Sequence, residues 1–121
     1  MKKDILKGWI KAIRSGKYKQ NFGSLSKLDK FCPLGILCDI SDKGSWIHEN
    51  KKNHFTKTDY IKTSYLNKTK TLPKEVASWA GISEEELSKL TCFLFVYNDE
   101  MRVSLDDLAD MLELKYSIGK V

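Results

Sequence analysis

Long apolar runs are missing from this 121-residue chain. The longest, Cys92 to Tyr97, is about a third of the roughly 20 residues a membrane-spanning helix needs, which leaves no candidate span. The amino-terminal stretch keeps returning to lysine and has neither the uninterrupted apolar core nor the small-residue cleavage site of a secretory signal, so a cytoplasmic protein is expected. Cysteine is scarce and odd in number. Cys32, Cys38 and Cys92 include no C-x-x-C pair, which disfavours a disulfide framework or zinc ribbon and predicts three reduced, mostly buried thiols without metal. Neither G-x-G-x-x-G nor G-x-x-x-x-G-K-[ST] occurs, so the phosphate-cradling loops of dinucleotide enzymes and NTPases are absent. Arginine is limited to Arg14 and Arg102, which makes sequence-specific DNA readout a poor expectation, because the forked guanidinium is the side chain that best reads guanine edges.

What the chain does have is lysine, unevenly placed. Residues 1 to 70 carry 16 Lys+Arg against 6 Asp+Glu, whereas residues 71 to 121 carry 5 against 10; the first part is net +10, the second net −5. A cationic surface of this kind attracts phosphate-bearing partners, and it also serves simply to solvate the fold.

Apolar residues in the first segment recur at offsets of three and four (Ile5, Leu6, Trp9, Ile10, Ile13), predicting an amphipathic helix over residues 3 to 15 with Gly16 as the left-handed stop. Residues 17 to 31 lose that period and read as short extended pieces or irregular loop. Pro33 suits a first helical position, giving a short buried helix over 33 to 41. Aromatic and β-branched residues between Trp46 and Leu72 predict an antiparallel hairpin or meander. Helices follow over 73 to 80, with Gly81 as the stop, and from Ser83, whose S-x-x-E box caps the next helix. Leu90 to Tyr97 reads equally well as a buried strand, but Leu87, Leu90, Leu94 and Tyr97 keep the helical spacing, favouring a helix to about Tyr97 that Asn98-Asp99-Glu100 breaks. Ser104 caps a last helix to about Lys115, followed by a short tail. With no repeat or linker, residues 1 to 121 are expected to form a single compact α+β domain, mostly helical with a small antiparallel sheet.

Three function classes fit these residues. A cysteine-dependent hydrolase would use Cys32, its thiol pKa lowered at a helix N-terminus, with His48 or His54 as base and Gln20 as oxyanion donor. The competing reading of Cys32 is a small hydrophobe packed beside Leu34 and Leu37. Protein or nucleic-acid binding through the basic first half is a second class. The third, ranked first, is a non-enzymatic protein that binds a small phosphorylated nucleotide-type ligand. For it, Arg14 and Lys17 would neutralise phosphate, Tyr18 or Trp46 would stack on a base, Gln20 and Asn98 would hydrogen-bond a base or ribose edge, and Asp99 would accept from ribose hydroxyls. No catalytic residue, metal ligand or cofactor is assigned in that reading.

The series Trp9…Ile13-Arg14-Ser15-Gly16-Lys17-Tyr18-Lys19-Gln20, then Phe31-Cys32-Pro33-Leu34-Gly35-Ile36-Leu37-Cys38-Asp39, Leu72-Pro73-x-x-Val76-x-x-Trp79-x-Gly81, and Asn98-Asp99 with Ser104-Leu105-x-x-Leu108-Ala109, resembles an uncharacterised family of small bacteriophage and bacterial proteins. In that family the middle block usually reads F-C-C-L-G-V-L-C-D and the end N-D-x-G-x-S-F-x-x-I-A. Two departures stand out: Pro33 replaces a second cysteine, and Met101-Arg102 replaces the glycine-bearing turn. The resemblance implies a phage accessory protein acting in the host cytoplasm. By association it implies an inhibitor of antiphage defence that sequesters a nucleotide-derived signal, with homo-oligomerisation or a host protein as further partners.

Overall fold

The computed structural model describes residues 1–118. Helix α1 (Lys3–Arg14) buries Leu6, Trp9, Ile10 and Ile13, and the chain turns after Ser15 through Gly16, whose φ of 76° a side chain would resist. Helix α2 (Pro33–Ser41) has Pro33 at its first turn and Cys32 as N-cap. It is the centre of the core, with Leu34, Ile36, Leu37 and Cys38 all buried. Trp9 joins the two helices: its ring is fully buried and its Nε1–H donates to the Pro33 carbonyl at 2.8 Å, satisfying both polar groups in the interior. Gly35 is required on that face, because a Cβ there would collide with the Leu25 carbonyl oxygen.

Between α1 and α2 lie three two-residue strands, β1 (Lys19–Gln20), β2 (Ser26–Lys27) and β3 (Lys30–Phe31). They form one sheet in the order β1-β3-β2, antiparallel across β2 and β3 but parallel across β1 and β3. The expected small antiparallel sheet is present, with one parallel pair, β1 with β3. After α2, β4 (Trp46–Lys52) and β5 (Asp59–Tyr65) make a separate antiparallel hairpin, with Trp46 opposite Tyr65 and Lys52 opposite Asp59.

Helix α3 (Lys74–Ala80) begins one residue after Pro73, which is the N-cap, and ends at left-handed Gly81. Ser83 caps α4 (Glu84–Leu94), its Oγ accepting from the Glu86 N–H at 3.2 Å. The reciprocal half of the expected capping box is absent: the Glu86 carboxylate instead accepts from the Met1 ammonium (3.0 Å) and the Tyr116 hydroxyl (2.7 Å), tying the chain's start to α4 and to the last helix. Beyond α4 the helix does not break at Asn98. It widens into a π-helical segment, Phe95–Glu100. Ser104 Oγ then accepts from the Asp107 N–H at 3.2 Å, and α5 (Leu105–Ile118) packs Leu108, Ala109 and Leu112 inward against α1. Helix α5 thus runs past Lys115; the expected tail beyond it, residues 119–121, lies outside the described residues. Among the described residues no helix is long and apolar enough to cross a membrane. The result is one α+β domain with five α-helices among those residues.

Candidate ligand site

The seven residues expected to hold a ligand fall into separate groups. Arg14, at the end of α1, points at α5: its Nη1 donates to Glu113 Oε2 at 3.0 Å and its Nη2 to Asp110. Those hydrogen bonds, Asp110's first, raise its pKa and hold it as a permanent cation whose charge is already answered. Lys17 is exposed, and among the described residues only its backbone N–H is engaged, by Ser15 Oγ at 3.2 Å.

Tyr18 and Trp46 do meet, on a residue that sequence reasoning passed over. The Tyr18 hydroxyl donates to Asp39 Oδ2 at 2.6 Å, and Trp46 Nε1–H donates to Asp39 Oδ1 at 3.0 Å. Both rings pack edge-on against Phe31, with centroids at 5.2 and 5.4 Å, and Trp46 continues onto Tyr65 at 4.9 Å. Burial first, and then the Asp39 charge, push the Tyr18 pKa up, so the phenol keeps its proton and remains a donor. These rings are occupied with one another and with the base of the hairpin. The sequence marks Asp39 as the closing residue of the apolar 32-to-39 block that carries the family resemblance, and gives no sign of its two aromatic partners.

Gln20, Asn98 and Asp99 form the third group, and here the expected residues are in direct contact. The π-helical segment buries Asn98 to 1% exposure. Its Oδ1 accepts from Gln20 Nε2 at 2.8 Å, and its Nδ2 donates to the Asn21 carbonyl (3.0 Å) and to Asp99 Oδ1 (2.7 Å). Gln20 Nε2 also donates to the Val103 carbonyl at 2.7 Å, and Asp99 Oδ1 receives the Gly23 N–H at 3.1 Å. Every polar atom of the Asn98 side chain is thereby satisfied. It fastens the loop after β1 to the end of the α4 helix and leaves nothing for reading a base edge. Asp99 keeps Oδ2 without a hydrogen-bond partner among the described residues.

This network borders a cavity of about 420 Å³ between the Gly23–Ser24 loop, the N-terminus of α2, Lys70–Thr71 and the Thr91-to-Asp99 side of the π-helical segment. Asn98 and Asp99 line it; Arg14, Lys17, Tyr18, Gln20 and Trp46 do not. Its remaining chemistry was missed in the sequence. Lys70 is an exposed cation with no ion pair among the described residues, Phe95 is a ring left 54% exposed, and Ser24, Thr71 and Thr91 bring hydroxyls. Phe95 sat inside an apolar run that reads as core, and a lone lysine in a lysine-rich chain gives no signal. A larger groove of about 580 Å³ runs between α1 and α5, but the guanidinium on its wall is neutralised by Glu113.

Cys32 also lines the 420 Å³ cavity. Its Sγ accepts from the Gly35 N–H at 3.4 Å as an N-cap, yet burial outweighs that hydrogen bond and pushes the thiol up to about 11. The helix N-terminus therefore does not produce the lowered pKa expected for a nucleophile. Neither histidine lines the cavity. His48 Nδ1 is 2.9 Å from Thr63 Oγ1 on the hairpin, and His54 is exposed in the hairpin turn. Cys38 is fully buried and likewise raised, to about 12, whereas Cys92 on α4 is exposed, contrary to the expectation that all three thiols are mostly buried. Among the described residues no three of His, Cys, Asp and Glu come together as a metal site requires.

Residues 1–119 match a protein family described as "Domain of unknown function (DUF8296)". No curated protein and no solved structure matches the chain.

Proposed function

The chain belongs to the DUF8296 family, and from its site we propose that it binds, without transforming it, a small phosphorylated nucleotide-type ligand in the 420 Å³ cavity. The observation that carries this reading is the meeting in one cavity of a cation, Lys70, and a carboxylate oxygen, Asp99 Oδ2, neither with a partner among the described residues, and a half-exposed ring, Phe95. A phosphate finds its countercharge on Lys70, a base its stacking face on Phe95, and a ribose hydroxyl its acceptor on Asp99. The volume lies within the range of about 300 to 1,000 Å³ typical of small-molecule sites. In this reading Lys70 and Phe95, rather than Arg14, Lys17, Tyr18 and Trp46, supply the cation and the stacking ring, and Asn98 is a scaffold that aims Asp99.

Binding rather than hydrolysis is favoured by Cys32, a protonated thiol with no histidine beside it in the cavity. The finer proposal, that this is a phage-type accessory protein which withdraws a host signalling nucleotide from the cytoplasm, rests on the family resemblance and on the same cavity.

A thermal-shift screen against cyclic oligonucleotides and ADP-ribose derivatives tests the reading. A ligand at a hundred times its dissociation constant stabilises the native state by about 2.7 kcal/mol and raises the melting temperature by several degrees. Lys70→Ala, Phe95→Ala and Asp99→Asn should each diminish that shift, while Lys17→Ala should leave it intact. A screen without any shift, or a shift indifferent to the three cavity variants, overturns the proposal.

A further inference from the structure

The small sheet carries a charge arrangement that its folding does not explain. Strand register sets Lys19 beside Lys30 and Lys30 beside Lys27, so three exposed lysines stand in a row across β1, β3 and β2. Like charges directly opposite one another destabilise a sheet. Among the described residues one carboxylate answers the row, Asp29 at 3.4 Å from Lys19, and both ends of that pair are largely exposed. The β2–β3 turn abuts the hairpin, where the Leu28 N–H donates to Thr63 Oγ1 at 3.3 Å. The hairpin then adds Lys51, Lys52, Lys57 and Lys62 against Glu49 and Asp59.

At the far end of the hairpin is a second, independent feature. Asn53 Oδ1 accepts from the N–H groups of Phe55 (2.9 Å) and Thr56 (3.2 Å), and the Asn53 and Lys57 N–H groups close the turn on the Thr58 and Asn53 carbonyls at 2.8 and 2.7 Å. This ordered turn holds out Phe55, 99% exposed, with Tyr60 at 50% on β5. A fixed turn that presents a bare phenyl ring among lysines contributes nothing to the core.

We propose that the lysine row and the β4–β5 hairpin together dock single-stranded nucleic acid without sequence preference, the lysines following the phosphates and Phe55 stacking on an unpaired base. Positive grooves with aromatic platforms are how sequence-independent single-strand binders work. Protein interfaces are depleted in lysine, whereas the exposed Ile47, Phe55, Tyr60 and Ile61 share this hairpin with four lysines. Base reading in a duplex calls for guanidinium forks, and both arginines of the chain are engaged elsewhere, Arg14 with α5 and Arg102 over the Phe22 ring at 4.5 Å.

Fluorescence anisotropy of the full chain with a labelled thymidine homopolymer, from about 50 to 200 mM salt, provides the test. Affinity should fall steeply with salt. Replacing Lys19, Lys27 and Lys30 together by alanine should flatten the log–log salt slope by about 2. Phe55→Ala, at a position too exposed to disturb the fold, should weaken binding about tenfold with the slope unchanged, and Phe55→Trp should restore it. Absence of binding at the lowest salt overturns the proposal. So does heparin or duplex binding as tight as single-strand binding together with indifference to Phe55→Ala, the result an acidic protein partner would give. The same variants leave the cavity intact, so a nucleotide-induced thermal shift should persist in them, and the two proposals can fail separately.

Discussion

Helices α1 and α2 and the β4–β5 hairpin use the same kinds of apolar residue to opposite ends. In α1 and α2 nearly every large apolar side chain is covered: Trp9, Ile36 and Leu37 have no exposed surface at all. Along the hairpin Ile47, Tyr60, Ile61 and Phe55 remain 39 to 99% exposed, and burial is confined to its base at Thr63, Ser64 and Tyr65. A two-stranded hairpin is marginal by itself in water. This one is pinned where it leaves the core, by Trp46 against Tyr65 and by the Tyr65 hydroxyl, which accepts the Gly44 N–H at 2.6 Å. Stability and surface chemistry are thus separated in this small domain: the helices supply the first, and the hairpin and the polar seam around Asn98 are free to supply the second.

The strongest blow to that separation falls on Trp9. Trp9→Ala empties a fully buried site and orphans the Pro33 carbonyl, and should cost about 3–5 kcal/mol in urea unfolding with an unchanged m-value. A loss below about 1 kcal/mol would show that the helical pair is not the stable region. Thiol chemistry sharpens the contrast next. Burial holds the Cys32 and Cys38 thiols well above the ordinary value and mostly protonated at pH 8, so iodoacetamide should label exposed Cys92 first and leave Cys32 and Cys38 largely unmodified until unfolding, as peptide mass spectrometry reads. Because the folded pKa of Cys32 lies above its ordinary value of 9.0, the native state holds that proton more tightly than the unfolded chain. The associated stability is complete below about pH 9 and declines as pH rises toward 11.

In the seam between the two regions, Asn98→Ala removes one of the two acceptors of the Gln20 amide and a donor to the Asn21 carbonyl, an expected loss of about 1–3 kcal/mol. A neutral outcome would mean that water replaces the network. The smallest effect belongs to the hairpin tip, where Phe55→Ala should change stability by no more than about 0.5 kcal/mol.

The sequence made the helical part legible because its signals are local. The Trp9–Ile13 stripe, Pro33 at a first turn, and the serines at 83 and 104 each act within one or two turns of where they stand. What it left hidden depends on residues far apart in the chain. The recruitment of Arg14 by α5 and the Gln20–Asn98 contact across 78 positions have no local signature, and the two-residue strands β1 and β3 are too short to signal their parallel pairing. Asn98-Asp99-Glu100 read as a break because asparagine and aspartate favour turns; buried partners for Asn98 hold the chain in a wider helical turn instead. The site was half visible for the same reason. Asn98 and Asp99 stood out as polar residues at a punctuation point, while Lys70 and Phe95 gain meaning only from the cavity they share.

The seat of α1 between α2 and α5 also sets a schedule for the growing chain. Trp9 meets Pro33 only 24 residues later, within about 1–5 s of synthesis at typical rates, so half of the α1 stripe is sheltered early. The other half waits for α5: Arg14 and Glu113 are 99 residues apart, about 5–20 s at the same rates. Until the ribosome has delivered that last helix, the flank of α1 where Leu6 and Ile10 share a groove with Glu113 and Tyr116 has no α5 to pack against.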